Sequence, residues 1–380
     1  MMNEKIGLVI GQLGYGGAER QLALLAGGLA GAGEKVHVFC LSETVKPHGL
    51  ALEAAGVELT VIPRRGPYEP LRVIRLASAL RRNGITLVHS FLEVATIYSY
   101  LASQFYRLPP LLPSLRSLPV RESWPHRMLL GRALRYSTLV TANSEAGAEA
   151  YQRRYLRRGS AIEVIPNGVE EMPAISAVER LAARRLYGVR ESGPVVGTVS
   201  KDDPDKNVPA FLRLAAGLGK KLGTVCTMLA GRGLDESYAV RQGVVRQALC
   251  DSFFLGELEE MRPFYAALDL LVITSLREGM PNVVLEAQMC GVPVVAFDIG
   301  GMRETMDPGR TGLLAPAGDE AALLEMTADL LADRKRLDSF GEQARQYTIN
   351  KFGVETMVRS TLALYDRVPG VRSDNGACQE

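Results

Sequence analysis

Two doubly wound α/β domains in tandem are the architecture this sequence predicts, and three observations predict it. Short apolar runs of strand length alternate with helical patterns along the whole chain. The alternation breaks at a turn-rich stretch near residue 172 and then starts again. At 380 residues, 47% hydrophobic and 23% charged, the chain is long enough for two cores and lacks the bias of a disordered or fibrous protein.

The first half opens with KIGLVI, a continuous apolar run as expected of a parallel strand covered on both faces. A helix over Gly17 to Gly31 follows, then the strands KVHVFCL and GVELTVI, a helix near Leu71 to Arg82, and the strand ITLVHS. TLVTANS and IEVIPNG continue the rhythm. Pro166-Asn167-Gly168 is a strong turn signal, and EEMPAISA after it reads as the interdomain linker. The second half repeats the pattern with PVVGTVS, a helix over Val208 to Lys220, GTVCTMLAG, a further helix, SFFLG, LLVITS and VPVVAF. The expected division is therefore 1–172 and 173–352, followed by a helix within 353–368 and a polar tail over 369–380.

The stretch EGMPNVVLEAQMCG, Glu278 to Gly291, carries the most chemistry. Glu278 lies on the loop after the apolar run LDLLVITS, and Pro281 suits the first turn of a helix, where its missing N–H had no partner. Loops at the carboxyl ends of strands are where open α/β sheets bind ligands. Glu286 lies five residues into that helix, about 7 Å along its axis. Two carboxylates that accept hydroxyls, with helix-start N–H groups between them to accept phosphate, fit a nucleoside diphosphate sugar. Spacing alone leaves open a solvated loop acid and an exposed helix acid.

GTVSKDDPDKN, Gly197 to Asn207, adds two lysines five residues apart on another strand-end loop, suited to clamping phosphates. Its Asp203-x-Asp205 is a weak metal signal, because the neighbouring lysines already supply positive charge, and no metal is expected. GQLGYGGAERQ, between a strand and a helix, invites a dinucleotide reading supported by Glu43 at the end of the second strand. Glu19, however, stands where that fingerprint needs a small residue.

ITSLREGMPNVVLEAQMCGVPVVAFDIGGMRE resembles the donor-site signature of the retaining glycosyltransferases of family 4 (glycosyl transferases group 1), with Glu278 and Glu286 as its paired glutamates. Gly300-Gly301 and Glu304 beyond the next strand match together with them. The resemblance implies a GT-B fold: two Rossmann-like domains facing across a cleft, the donor bound by the second and the acceptor by the first, with a terminal helix, here Val354 to Tyr365, crossing back to the first. It implies that Glu278 holds sugar hydroxyls and Glu286 the ribose, with Gly279, Met280, Pro281, Asn282 and Val283 in the donor loop and Gly197 in the donor site. Lys201 and Lys206 match positions that steady the diphosphate, although Lys201 replaces the usual Arg and lacks its planar fork. Gly16 and Gly17 match glycines beside the donor phosphates, Arg232 a phosphate or base contact, and Leu255 and Gly256 backbone offered to the base. Many relatives carry a His-x-His whose second histidine faces the reacting sugar. Here Phe91 stands in that position, leaving His89, or alternatively Glu93, as the polar candidate. No protein nucleophile is implied, since the leaving phosphate assists the acceptor hydroxyl.

The implied activity is a retaining, hexosyltransferase-type transfer from a UDP-sugar, with GDP-mannose next, to a saccharide or lipid-linked saccharide in cell-surface polysaccharide or glycolipid assembly. A non-catalytic sugar-nucleotide-binding protein and a nicotinamide-dependent oxidoreductase are the alternatives. Arg116 and Arg121, within an Arg-, Pro- and Leu-rich stretch over residues 105–136 that holds the only tryptophan, suit an anionic acceptor or a membrane face.

Net charge is +2, but residues 1–170 carry 20 Lys and Arg against 13 acids, and the remainder 24 against 29. That asymmetry points the amino-terminal half toward an anionic surface. Nucleic acid is not expected, since no recognition motif is present. The 5 cysteines are scattered without Cys-x-x-Cys, so neither a disulfide framework nor a zinc site is expected. No apolar run approaches about 20 residues and no leader pattern opens the chain, which predicts a cytoplasmic protein, extended to peripheral contact with the inner face of the membrane.

Overall fold

A computed structural model of the protein describes residues 5–66, 70–119, 123–156, 161–241 and 251–369. The chain divides into two compact units, one running to Gly168 and resuming at Val354, the other Val169–Gly353. The division falls at the Pro166-Asn167-Gly168 turn itself rather than at residue 172. Two local devices fix it there. The Gln21 side chain donates to the Gly168 carbonyl and accepts from its N–H, both at 2.7 Å. One residue on, the Val169 N–H donates to the Phe352 carbonyl at 2.7 Å, and Val169 bridges to Gly353.

The first unit contains β1 (Lys5–Ile10), α1 (Gly17–Gly31), β2 (Lys35–Cys40), α2 (His48–Ala54), β3 (Glu58–Val61), α3 (Leu71–Arg82), β4 (Leu87–Phe91), α4 (Leu92–Phe105), β5 (Leu111–Leu115), α5 (Trp124–Tyr136), β6 (Thr141–Ala142), α6 (Glu145–Tyr155) and β7 (Glu163–Val164). Its parallel sheet has the order β3-β2-β1-β4-β5-β6-β7, so the winding reverses between β1 and β4. A crevice at the carboxyl ends of the strands follows from that reversal. The central strands are buried on both faces, consistent with their unbroken apolar composition.

The second unit contains α7 (Ala177–Leu186), β8 (Val195–Val199), α8 (Val208–Leu222), β9 (Cys226–Ala230), α9 (Glu236–Arg241), β10 (Ser252–Phe254), α10 (Arg262–Ala267), β11 (Leu270–Ile273), α11 (Asn282–Met289), β12 (Val294–Phe297), β13 (Gly312–Ala315), α12 (Glu320–Ala332) and α13 (Arg334–Phe352). Its parallel sheet, β10-β9-β8-β11-β12-β13, reverses between β8 and β11. Last in the chain, α14 (Val354–Tyr365) belongs to the first unit and packs on α1. The approach is tight: a Cβ at Gly28 of α1 would lie 2.4 Å from Val358 Cγ2.

Residues 105–136 require a correction. They include β5, which lies between β4 and β6 and is buried throughout despite Pro113 at its centre. Proline interrupts a ladder and disguised the strand. Helix α5 of that stretch presents an exposed face, headed by Trp124 at 69% exposure. Among the described residues no helix is long and apolar enough to cross a membrane.

Candidate functional site

In the second unit the loops after β8, β9, β10 and β11 are knitted together by backbone. The Ser200 N–H donates to the Ala230 carbonyl and the Asp202 N–H to that of Arg232. The Gly231 N–H donates to the Gly256 carbonyl at 2.6 Å and the Gly256 N–H to that of Leu234. Gly231 has φ +127°, and a Cβ there would lie 1.6 Å from the Ser200 carbonyl oxygen, so no other residue fits. The loop after β8 then reaches the loop after β11 through the Leu276 N–H, which donates to the Asp205 carbonyl at 2.7 Å, and through an Arg277–Asp205 ion pair at 3.3 Å.

Lys206 and Glu278 meet at this junction, with Nζ 2.6 Å from Oε1 and both side chains largely shielded from solvent. The Gly301 N–H holds the Glu278 carbonyl at 3.2 Å, and the Thr274 hydroxyl donates to the Asn207 carbonyl at 3.0 Å. Asn207 itself is left-handed at φ +48°, which turns the chain sharply between Lys206 and α8. The ammonium retains two N–H groups beyond the one given to Glu278. Beside the pair, α11 begins at Asn282 with Pro281 as its flanking residue, one position later than expected. Gly279, Met280 and Pro281 are buried, while Asn282 and Val283 are partly exposed.

Glu286 departs from the exposed-helix alternative. It is 6% exposed, and its Oε2 accepts from the Tyr265 hydroxyl of α10 at 2.8 Å. Lys201 instead reaches outward, pairing with Asp203 Oδ2 at 2.8 Å. That hydrogen bond, with a second from the Asp205 N–H, holds the Asp203 carboxyl below its ordinary range. Both aspartates of Asp203-x-Asp205 are thus engaged with cations. Among the described residues no group of three or more His, Cys, Asp or Glu is arranged around a common metal position.

Several expected donor residues are assigned other work. Gly197 lies inside β8, where a Cβ would stand 2.5 Å from Leu268 Cδ1 and 3.0 Å from Phe264 Cζ, so close packing accounts for it. The Leu255 N–H goes to the Leu229 carbonyl, and both backbone groups of Gly256 are engaged, so the backbone once expected to face a base is largely spent within the loops. Arg232 is exposed on its loop.

The first unit holds a cavity of about 700 Å³ at the carboxyl ends of its strands. Gly11 and Gln12 after β1, Ser42 to Thr44 after β2, Arg64, and Leu92 to Ala95 at the head of α4 line it, together with Glu19 and Arg72. Glu19 projects back over the amino end of α1, its Oε1 accepting from Gln12 Nε2 at 3.1 Å. Its carboxylate lies 2.2 Å from where a Gly16 Cβ would be, so Gly16 makes room for Glu19 and Gly17 opens the helix.

His89 and Arg116, expected near the reacting centre or the acceptor, are interior residues. His89 sits within β4 at 1% exposure, its Nδ1 2.7 Å from the Tyr365 hydroxyl of α14, and burial depresses its pKa to about 3. Its imidazole is therefore neutral. Arg116 donates from Nε to Ser114 Oγ at 3.0 Å and from Nη1 to Asn167 Oδ1 at 2.8 Å, and stacks over Phe91. Burial pushes its pKa down to about 10. It ties the end of β5 to the turn that closes the unit. Arg121 lies outside the described residues.

Glu93, the alternative candidate, lines the cavity. Its Oε1 accepts from the Tyr151 hydroxyl of α6 at 2.6 Å, and its Oε2 lies 2.9 Å from Nε2 of His126 in α5. Burial and Glu93 together raise the Tyr151 phenol, which keeps it a donor. Nothing in the sequence marked Tyr151 or His126, because the three residues come from separate helices.

Two family models match the chain. One described as "Glycosyltransferase Family 4" covers residues 15–171, and one described as "Glycosyl transferases group 1" covers residues 193–333. The 2-deoxystreptamine N-acetyl-D-glucosaminyltransferase of Streptomyces fradiae is 31% identical over 66% of this chain and 59% of that enzyme. The N-acetyl-alpha-D-glucosaminyl L-malate synthase of Bacillus anthracis is 25% identical over 79% of each. Among solved structures, Anabaena Alr3699/HepE in complex with UDP superposes with a TM-score of 0.83 at 23% identity, covering 95% of this chain and 99% of that one.

Proposed function

The chain belongs to the family 4, group 1 glycosyltransferases, and on that premise we propose that it transfers a sugar from a UDP-sugar to a saccharide or lipid-linked saccharide acceptor with retention of configuration. The observation that carries this reading is the Lys206–Glu278 pair at the carboxyl ends of β8 and β11, beside the start of α11. In it Glu278 accepts hydroxyls of the donor sugar while the remaining N–H groups of Lys206 meet the diphosphate, where negative charge builds as the glycosidic bond breaks. Glu286, oriented by Tyr265, accepts from the ribose. No metal is required, since Lys206 and the helix start supply the counter-charge. UDP is favoured because Alr3699/HepE, alike in fold, is bound to it.

The acceptor belongs to cell-surface polysaccharide or glycolipid assembly in this reading, and the protein works peripherally on the inner face of an anionic membrane. Helix α5 supports that placement: Arg127, Arg132 and Arg135 are exposed along it, Trp124 heads it, and it contains no acid.

The deciding experiment is a thermal melt with UDP, GDP, ADP and NAD in EDTA. A ligand held at about a hundred times its Kd stabilises the fold by about 2.7 kcal/mol, a readily visible shift. A rise with UDP is expected; a rise with NAD alone would overturn the proposal. Release of UDP from UDP-glucose then separates the enzyme from a non-catalytic binder.

A further inference from the structure

The cavity in the first unit has a chemical character that the donor reading leaves unassigned. Three carboxylates line it, Glu19, Glu43 and Glu93, against two guanidiniums, Arg64 and Arg72. Both cations are turned to other partners. Arg72 is 8% exposed, donates from Nε to the Ile62 carbonyl and lies over the Tyr98 ring at 5.0 Å, while Arg64 donates from Nε to the Gly66 carbonyl at 2.6 Å.

Glu93 is the best-fixed of the carboxylates. Its two partners, Tyr151 and His126, each occupy one oxygen, and a carboxylate has about four acceptor positions, so two remain for a ligand. The backbone aims it: Leu92, immediately before it, is left-handed at φ +68°. Apart from Asn207 no other described non-glycine residue has positive φ. A leucine in that conformation is disfavoured by about 1 kcal/mol or more, a cost that collects at functional sites. The bend lets β4 pass directly into α4 and sets Leu92 and Glu93 in the cavity wall.

We propose that this cavity binds the acceptor's saccharide ring, that Glu93 grips its hydroxyl or ammonium groups, and that the site selects neutral and amine-bearing rings over rings carrying a carboxylate or phosphate. This rests on the glycosyltransferase reading. Fixed carboxylates suit hydroxyl and ammonium donors, and a second anion facing Glu93 and Glu19 across a half-shielded cavity is repelled. Tyr151 and His126 act through Glu93, as positioning residues.

Melts of the full chain, first with UDP alone and then with UDP plus glucose, glucosamine, glucuronate or glucose 6-phosphate, test it. Glucose and glucosamine are expected to add to the UDP shift and the two anionic sugars to add nothing. Glu93→Gln is expected to keep the UDP shift and weaken glucosamine at least tenfold, with the acceptor KM rising while the donor KM holds. Glu43→Gln, at an exposed position, is a milder variant with no folding burden and should weaken glucosamine alone. Preference for glucuronate or glucose 6-phosphate would overturn the proposal and assign the cavity to Arg64 and Arg72. An unaltered response in Glu93→Gln, or no sugar response at all, would also overturn it, whereas absence of the UDP shift would instead remove the donor reading.

Discussion

Lys206 and His89 show how differently two polar residues of similar sequence context are used. Lys206 is held against Glu278 at the mouth of its unit, so its charge is available to a ligand and costs little to keep. Lys206→Met should leave the fold intact, abolish the UDP melting shift and lower transfer by about a hundredfold, the scale of losing one charge stabiliser at a leaving group; an unchanged rate would remove Lys206 from the site. His89 is buried and neutral, with its folded pKa near 3 against an ordinary 6.5. The unfolded chain therefore binds a proton that the folded chain refuses, and stability falls as pH drops from about 6.5 toward 3. His89→Gln should flatten that acid limb in urea titrations at a series of pH values, while costing about 1–3 kcal/mol at neutral pH through the lost partner of Tyr365. The motif around Glu278 was legible because it is local. Glu93 was visible only as a candidate, since the residues that fix it lie 33 and 58 positions away.

At the scale of elements, short apolar runs were readable as strands even where a polar residue interrupts them, as His37 does in β2 and His89 in β4, whereas β5, with a proline at its centre, was not. β1, β2, β8, β11 and β12 stand where predominantly apolar runs placed them. β5 was hidden by Pro113 and by the arginines around it, which suggested a surface. Arg116 in turn misled because charge signals exposure only on average; its hydrogen bonds to Ser114 and Asn167 satisfy it inside. The loops of the second unit hold their shape through glycine: Gly231 admits the Ser200 carbonyl at a distance no Cβ allows. Helix α5 carries the prediction that belongs here. Arg127→Glu, Arg132→Glu and Arg135→Glu together should abolish co-sedimentation with vesicles containing phosphatidylglycerol while leaving the UDP shift unchanged. Equal binding by the triple variant would detach the membrane reading from this helix.

Across the whole molecule, the second unit is an insertion within the first. Its beginning and end are joined by the Val169–Phe352 hydrogen bond, whereas the first unit is completed only by α14, which supplies Val358 to Gly28 and the Tyr365 hydroxyl to His89. A chain ending at Gly353 should therefore keep a UDP-responsive second unit and lose cooperative melting of the first, which differential scanning calorimetry would resolve as the loss of one transition. On the ribosome the same connectivity sets a timetable. The amino-terminal unit emerges first but cannot finish, since the helix that covers α1 and engages His89 is translated only after the whole second unit. The second unit can therefore mature before it, and the first waits with an apolar flank uncovered until α14 has emerged.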